Sequence, residues 1–197
     1  MTVSRSVARL IVATSVATGV LAAAVDVSRA DPRDTQIYGF LGLGRIFNAS
    51  PVPRQVVSFA GKYRPGTIII NTGERRLYYV MAGGQALRYG IGVGRLGFTW
   101  AGTTAVSAKR EWPDWTPSPQ MLRRKPDLPH HMKGGLENPL GARAMYLGSS
   151  LYRIHGSNEP NTIGTANSSG CFRMTNEDAI DLYNRVGVGT PVVVVLR

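Results

Sequence analysis

The apolar and polar positions divide this chain into a long apolar opening, an irregular stretch, and a series of short β-like segments interrupted near the end by one helix. Residues 1–30 carry Arg5 and Arg9, then the apolar run LIVATSVATGVLAAAV, then small residues ending at Ala30. That arrangement predicts a secretory signal peptide cleaved before Asp31. An uncleaved anchor is the competing reading, weakened by Thr14, Ser15 and Thr18 inside the run and by the lack of a second apolar span. Residues 31–60 mix Gly, Pro, Asn and Ser with isolated aromatic residues, and their lack of a period predicts an irregular N-terminal arm.

The texture changes over residues 61–197. TIIIN and RRLYYVM flank a turn-like TGE and predict a hairpin near 67–81. ALRYGIGVG predicts a further strand, TTAVSAKRE another, and ARAMYLGS with SLYRIHG two short strands around a Gly-Ser turn. In TNEDAIDLYNRVG, Thr175 is an N-cap, Asp178 the third helical residue, and Ala179, Ile180, Leu182, Tyr183 and Val186 an apolar face, with a stop at Gly187. TPVVVVL reads as a strand buried on both faces. The pattern is mainly β, with one prominent helix. Between about 110 and 140, prolines at 113, 117, 119, 126, 129 and 139 forbid a continuous helix or central strand. Trp112 and Trp115 lie in that stretch, and indoles in so polar a loop are costly if exposed. The loop is therefore expected to be a lid or groove wall beside the active site, in preference to a loose surface loop, with the two tryptophans as substrate-binding residues.

Charge and cysteine usage sharpen the picture. The net charge is +11, and the chain stays basic without residues 1–30. In an exported protein such a field favours anionic envelope polymers, lipid headgroups or carboxylate-rich peptides. No helix-turn-helix, zinc-finger or aromatic RNA-binding signature points to nucleic acid. The chain has one cysteine, which cannot form an intramolecular disulfide in a compartment where cysteines commonly come in pairs. A buried inert thiol is the bland alternative.

The neighbours of Cys171 favour chemistry. It sits in SSGCFR, sixteen residues after His155 in RIHGS, and an imidazole within reach of a thiol supplies the base that activates it. The Gly170 and Cys171 amides are candidates for an oxyanion site. A carbonyl in the Gly156–Ser157 turn is the candidate partner fixing the His155 tautomer. Ser168 and Ser169 are candidates for substrate contact or for ordinary turn bonding. Arg173 would lower the thiol pKa, grip a carboxylate, or pair with Asp178 or Glu177. His130 and His131 form a local pair too sparse to argue for a metal.

The array RIHGSNEPNTIGTANSSGCFRMTNEDAIDLY resembles the catalytic region of the YkuD-type L,D-transpeptidases, and the likeness extends through PGTIIINTGERRLYYV, GIGVG, WPDWTPSPQM, NPLGARAMYLG and GTPVVVV. It spans about residues 60–197 and is nearest in texture to exported cell-wall enzymes of Gram-negative bacteria. The resemblance implies a compact mixed β-sheet catalytic domain over 61–197, working in the periplasm on peptidoglycan stem peptides without metal or organic cofactor. Cys171 would form a thioester with the acyl group of meso-diaminopimelate, releasing D-alanine, and a second diaminopimelate amine would resolve it as a three-to-three crosslink. His155 would move the protons, the Gly170 and Cys171 amides would hold the oxyanion, and Gly156, Ser157, Ser168, Ser169, Arg173, Trp112 and Trp115 would bind substrate. Water as acceptor would make an L,D-carboxypeptidase. A lipoprotein lysine would make an enzyme that tethers an outer-membrane lipoprotein to the wall. A non-catalytic wall-binding domain and a generic cysteine protease are the remaining alternatives. Ser169 stands where the family commonly has a second histidine, and Phe172 replaces a usual aliphatic residue, a change expected to affect packing alone.

Overall fold

The three consecutive isoleucines and the TGE turn form the hairpin the pattern predicts. In a computed structural model that describes Arg33 and residues 50–196, β2 (Ile68–Asn71) pairs antiparallel with β3 (Arg76–Met81), which pairs in turn with β4 (Gln85–Gly90). The predicted signal peptide lies outside the described residues, as does most of the predicted arm. The described part of that arm departs from expectation. Gln55–Ser58 is a strand, β1, running antiparallel along the free edge of β4. Its four residues are exposed or half-buried, so it has no core-facing alternation for a sequence pattern to reveal.

The remaining strands are β5 (Val93–Gly94), β6 (Gly102–Glu111), β7 (Arg143–Leu147), β8 (Arg153–His155), β9 (Ala166–Ser168), β10 (Phe172–Arg173) and β11 (Pro191–Val195). Helix α1 (Pro119–Arg124) lies in the proline-rich loop, and α2 (Asn176–Arg185) follows the cysteine loop. Among the described residues the main sheet is mixed, in the order β1-β4-β3-β2-β11-β6-β7-β8-β10. Its parallel contacts are β2 with β11 and β8 with β10. β6 serves two partners, β11 through its first half and β7 through its second, with a register shift between Val106 and Ala108 where it passes from one to the other.

Two strands differ from the reading of their sequence. ALRYGIGVG is not one strand: it leaves the main sheet after Gly90 and resumes as β5, which pairs with β9. The break occurs where Gly92 exchanges backbone hydrogen bonds with Arg173, both at 2.9 Å. β11 is buried on one face, where Val192 and Val194 enter the core, whereas Val193 and Val195 are half-covered. Among the described strands, β2 and the two-residue β5 are buried throughout.

α2 begins as expected, with Thr175 Oγ1 accepting from the Asp178 amide at 3.2 Å, and it ends at Arg185 with Val186 in extended conformation. Ala179, Leu182 and Val186 join Ile68, Leu77 and Met145 in the main core, so the helix packs its apolar face against the sheet. Tyr89 adds a polar tie, donating to Asp181 Oδ2 at 2.6 Å while Arg185 grips the same carboxylate through two 2.9 Å bonds. Arg54, just before β1, bonds Asp178 Oδ1 at 3.0 Å and lies 3.6 Å from Glu177. Asp178 is 3% exposed, and burial pushes its carboxyl pKa up against the pull of Arg54. Replacing Arg54 by alanine would leave that buried carboxylate without its cation. The expected cost is about 2 kcal/mol in urea denaturation at pH 7, below that of a fully enclosed pair because Arg54 keeps access to water. The loss should shrink as the pH falls and Asp178 takes up a proton.

Candidate active site

The site is built on the short parallel ladder between β8 and β10, in which Phe172 lies beside Ile154 and Arg173 beside His155. Ile154 and Phe172 are 0% and 1% exposed and face the core. By strand alternation Arg153, His155 and Arg173 face the other way, and Cys171, one position before β10, joins them. The electrostatics agree, because Arg153 and Arg173 both act on His155 and on Cys171.

His155 is held on one side by the residue that follows it. Its Nδ1 is 2.6 Å from the Gly156 carbonyl oxygen. A carbonyl can only accept, so Nδ1 carries the proton and Nε2 keeps a free lone pair. Burial, with Arg153 and Arg173 nearby, pushes the imidazole pKa down to about 3, although the Gly156 carbonyl opposes the shift. The ring is therefore neutral at physiological pH.

The Gly156 turn is anchored by Asn176, the first residue of α2. Asn176 Oδ1 accepts from the Ala142 amide at 2.8 Å and the Ser157 amide at 3.2 Å, and a Cβ at position 156 would collide with it. Ser157 Oγ accepts from the Glu159 amide at 3.0 Å. Gly156 and Ser157, expected to bind substrate, are buried residues of the turn that holds the His155 ring. Asn176 does not stand out in the sequence, because an asparagine at a helix start reads as ordinary capping.

The cysteine loop is tied in a similar way. Ser168 Oγ donates to the Cys171 carbonyl at 2.7 Å and accepts from the Gly170 amide at 3.1 Å, and the residue is 2% exposed. Ser168 is a clamp within the turn, and the Gly170 amide is committed to it. The expected two-amide oxyanion site is reduced accordingly. Among the described residues no acceptor sits on the Cys171 amide, which leaves that N–H as the donor beside the sulfur. Gly170 has φ +109°, and a Cβ there would lie 2.6 Å from Cε1 of Tyr152. Glycine is therefore required by conformation and by space.

The thiol is partly buried and its Sγ donates toward the Leu151 carbonyl at 3.7 Å. Burial pushes its pKa up, opposed first by the Arg153 backbone N–H, then by the charge and side-chain hydrogen bond of Arg153, with a smaller pull from Arg173. Resting thiol and resting imidazole are both uncharged. Arg153 is a second residue that does not stand out in the sequence. The signal available is strand register, since a cation two residues before the histidine shares its face. Arg173 pairs with Glu159 at 3.0 Å, not with Asp178 or Glu177, whose cation is Arg54.

The proline-rich loop does flank the cysteine loop. Arg124 of α1 donates to Ser169 Oγ at 3.3 Å, and Trp115, Ser169 and Arg173 line one cavity of about 320 Å³. The two tryptophans divide. Trp115 lines that cavity, whereas Trp112 is 4% exposed and packs with Ala142 and Ile180, away from the cavity lining. His131 contacts Asp114 Oδ2 at 3.2 Å on the surface.

Residues 65–194 match the model of the L,D-transpeptidase catalytic domain called YkuD, and the chain belongs to that family. It is 37% identical over 153 residues to the "Probable L,D-transpeptidase ErfK/SrfK" of Escherichia coli K12, covering 73% of this chain and 48% of that protein. The chain thus spans about half the length of that curated relative. A solved structure from Brucella melitensis, described as a probable carnitine operon oxidoreductase, is 46% identical with a TM-score of 0.51, covering 77% of this chain and 98% of the other. L,D-transpeptidase 3 of Mycobacterium tuberculosis shares the fold at 17% identity and a TM-score of 0.53, over 66% of this chain and 60% of that one.

Two measurements check the electrostatics. Arg153→Met should raise the thiol pKa, so that iodoacetamide alkylation of Cys171 at pH 7.5 slows by about tenfold, with Arg153→Lys restoring part of the rate. An unchanged pH profile would remove Arg153 from that role. The depressed His155 pKa means that the unfolded chain takes up a proton below about pH 6.5 that the folded chain refuses. Stability should therefore fall from pH 6.5 to 4.5, by at most about 1.4 kcal/mol from this group for each step of one in pH. His155→Gln should flatten that slope in urea titrations, whatever its effect on absolute stability.

Proposed function

We propose that this protein is a periplasmic L,D-transpeptidase that forms three-to-three crosslinks between diaminopimelate residues of peptidoglycan through a thioester on Cys171. The observation that carries the reading is the neutral His155, its Nδ1–H held by the Gly156 carbonyl, on the same sheet face as the only thiol in the chain. The family model covers both residues, which favours acyl transfer over the redox description given to the Brucella relative.

With thiol and imidazole both neutral at rest, moving the proton before attack would be uphill. Sulfur attack and proton transfer therefore proceed together: a bond forms from Sγ to the carbonyl carbon of diaminopimelate while Nε2 takes the thiol proton. The carbonyl oxygen becomes an oxyanion facing the Cys171 amide. Collapse breaks the bond to D-alanine, whose amine leaves with the proton from His155. The amine of a second diaminopimelate then attacks the thioester, gives its proton to His155, and the thiol is restored. Arg153 and Arg173 offset negative charge on sulfur during both steps.

Intact-mass and muropeptide analysis after incubation with diaminopimelate-containing tetrapeptides tests the reading. Three-to-three dimers from the wild type, absent from Cys171→Ala and reduced at least a hundredfold in His155→Ala, are expected. Tripeptides without dimers would identify a carboxypeptidase, and transfer to a lipoprotein lysine without dimers would identify a tethering enzyme. Either result would overturn crosslinking while keeping the thioester. Cysteine-independent product would remove the mechanism itself.

A further inference from the structure

The cavity beside the cysteine loop carries three cations, Arg95, Arg124 and Lys125, that the acyl-transfer chemistry does not use. Arg95, Arg124, Lys125 and Arg173 line it, and the one carboxylate among its described lining residues, Glu159, is paired with Arg173 at 3.0 Å. Three cations therefore remain around about 320 Å³ of space. Two of them are gathered on one ring: Arg95 lies 4.6 Å and Arg124 5.3 Å from the centroid of Phe98. Contact with the aromatic ring holds these guanidiniums close despite their repulsion. Arg124 also reaches the cysteine loop through its bond to Ser169, two residues before the nucleophile. Like charges concentrated around a concavity raise the local concentration of anions.

The rest of the lining discriminates among anions. Trp115, Met121, Leu128 and Pro139 give an apolar wall, and Asn158 and Asn167 supply amides suited to peptide groups. A bare phosphate would leave that wall without a partner, whereas an acidic peptide would use wall, amides and cations together. We propose that this cavity is a recognition site for the side carboxylates of an acidic peptide, with Arg95, Arg124 and Lys125 as substrate-binding residues. Occupancy sets the peptide against the Ser169–Arg173 segment that carries the nucleophile. Identifying the peptide as a wall stem rests on the function proposed above. The carboxylate chemistry rests on the cavity alone.

The test is calorimetric binding to full-length Cys171→Ala protein, which cannot turn substrate over, of a diaminopimelate-containing tetrapeptide and of the same peptide with its side carboxylates amidated. Amidation should weaken binding by about tenfold or more at low salt. Replacing Arg95, Arg124 and Lys125 together by glutamine should weaken the acidic peptide to the same degree while moving the amidated peptide by less than about twofold. These side chains are exposed or at the cavity rim, and thermal melting verifies that the variant folds. Equal affinity for the two peptides, no binding of the acidic peptide up to 10 mM (a concentration about tenfold above the upper end of ordinary substrate KM values, ~1 mM), or displacement by inorganic phosphate at matching concentration would each overturn the site. In the wild type, crosslinked product that forms equally from both peptides sinks this site and leaves the function standing. Charge-dependent binding without any cysteine-dependent product does the reverse.

Discussion

Two residue pairs of parallel ladder fix the relation between Cys171 and His155. Without the pairing of β8 and β10, Cys171 and His155 would sit on separate loops with nothing to set their relation. Strands of three and two residues have no stability of their own. What holds them is on either side. Ile154 and Phe172 anchor one face in the core, Trp100 stacks on Tyr152 at 4.9 Å and leans on Phe172 at 5.8 Å, and Asn176 ties the end of β8 to the start of α2. The face that carries Cys171 and His155 is thus backed by apolar packing and tied at its ends by hydrogen bonds.

That arrangement explains why the site combines strongly basic surroundings with uncharged reactants. Arg153 and Arg173 disfavour an imidazolium and favour a thiolate, while burial disfavours charge on either group. The outcome is a thiol and an imidazole that are both neutral at rest. In an oxidising compartment a protonated thiol reacts more slowly with oxidants than a standing thiolate does. The same balance therefore slows oxidation of the chain's single cysteine.

Sequence patterning located elements that bury a periodic face and missed those that do not. The 67–81 hairpin, the Thr175 cap and the apolar side of α2 each carry a period that physical chemistry can read, and the structure has them. β1 has no buried face, and GIGVG is split by a contact with Arg173 from more than eighty residues along the chain, so neither was visible locally. At the site, cysteine and histidine were legible from residue type and the likeness of their surroundings. Which amide remains available, and which arginine adjoins the sulfur, depends on register and on Ser168, and register is a property of two strands. Phe172 behaves as its substitution for an aliphatic residue suggested, filling the core.

The edge strand β1 bears on where this catalytic unit begins. The family match starts at residue 65, after β1 and after Arg54. A chain trimmed to that boundary would keep the thiol and imidazole, yet it would uncover the backbone donors and acceptors of β4 that β1 now occupies and strand the carboxylate of Asp178 inside the protein. The shortest fragment that keeps β4 covered and Asp178 paired is therefore longer than the stretch the family match defines, and it begins before Arg54.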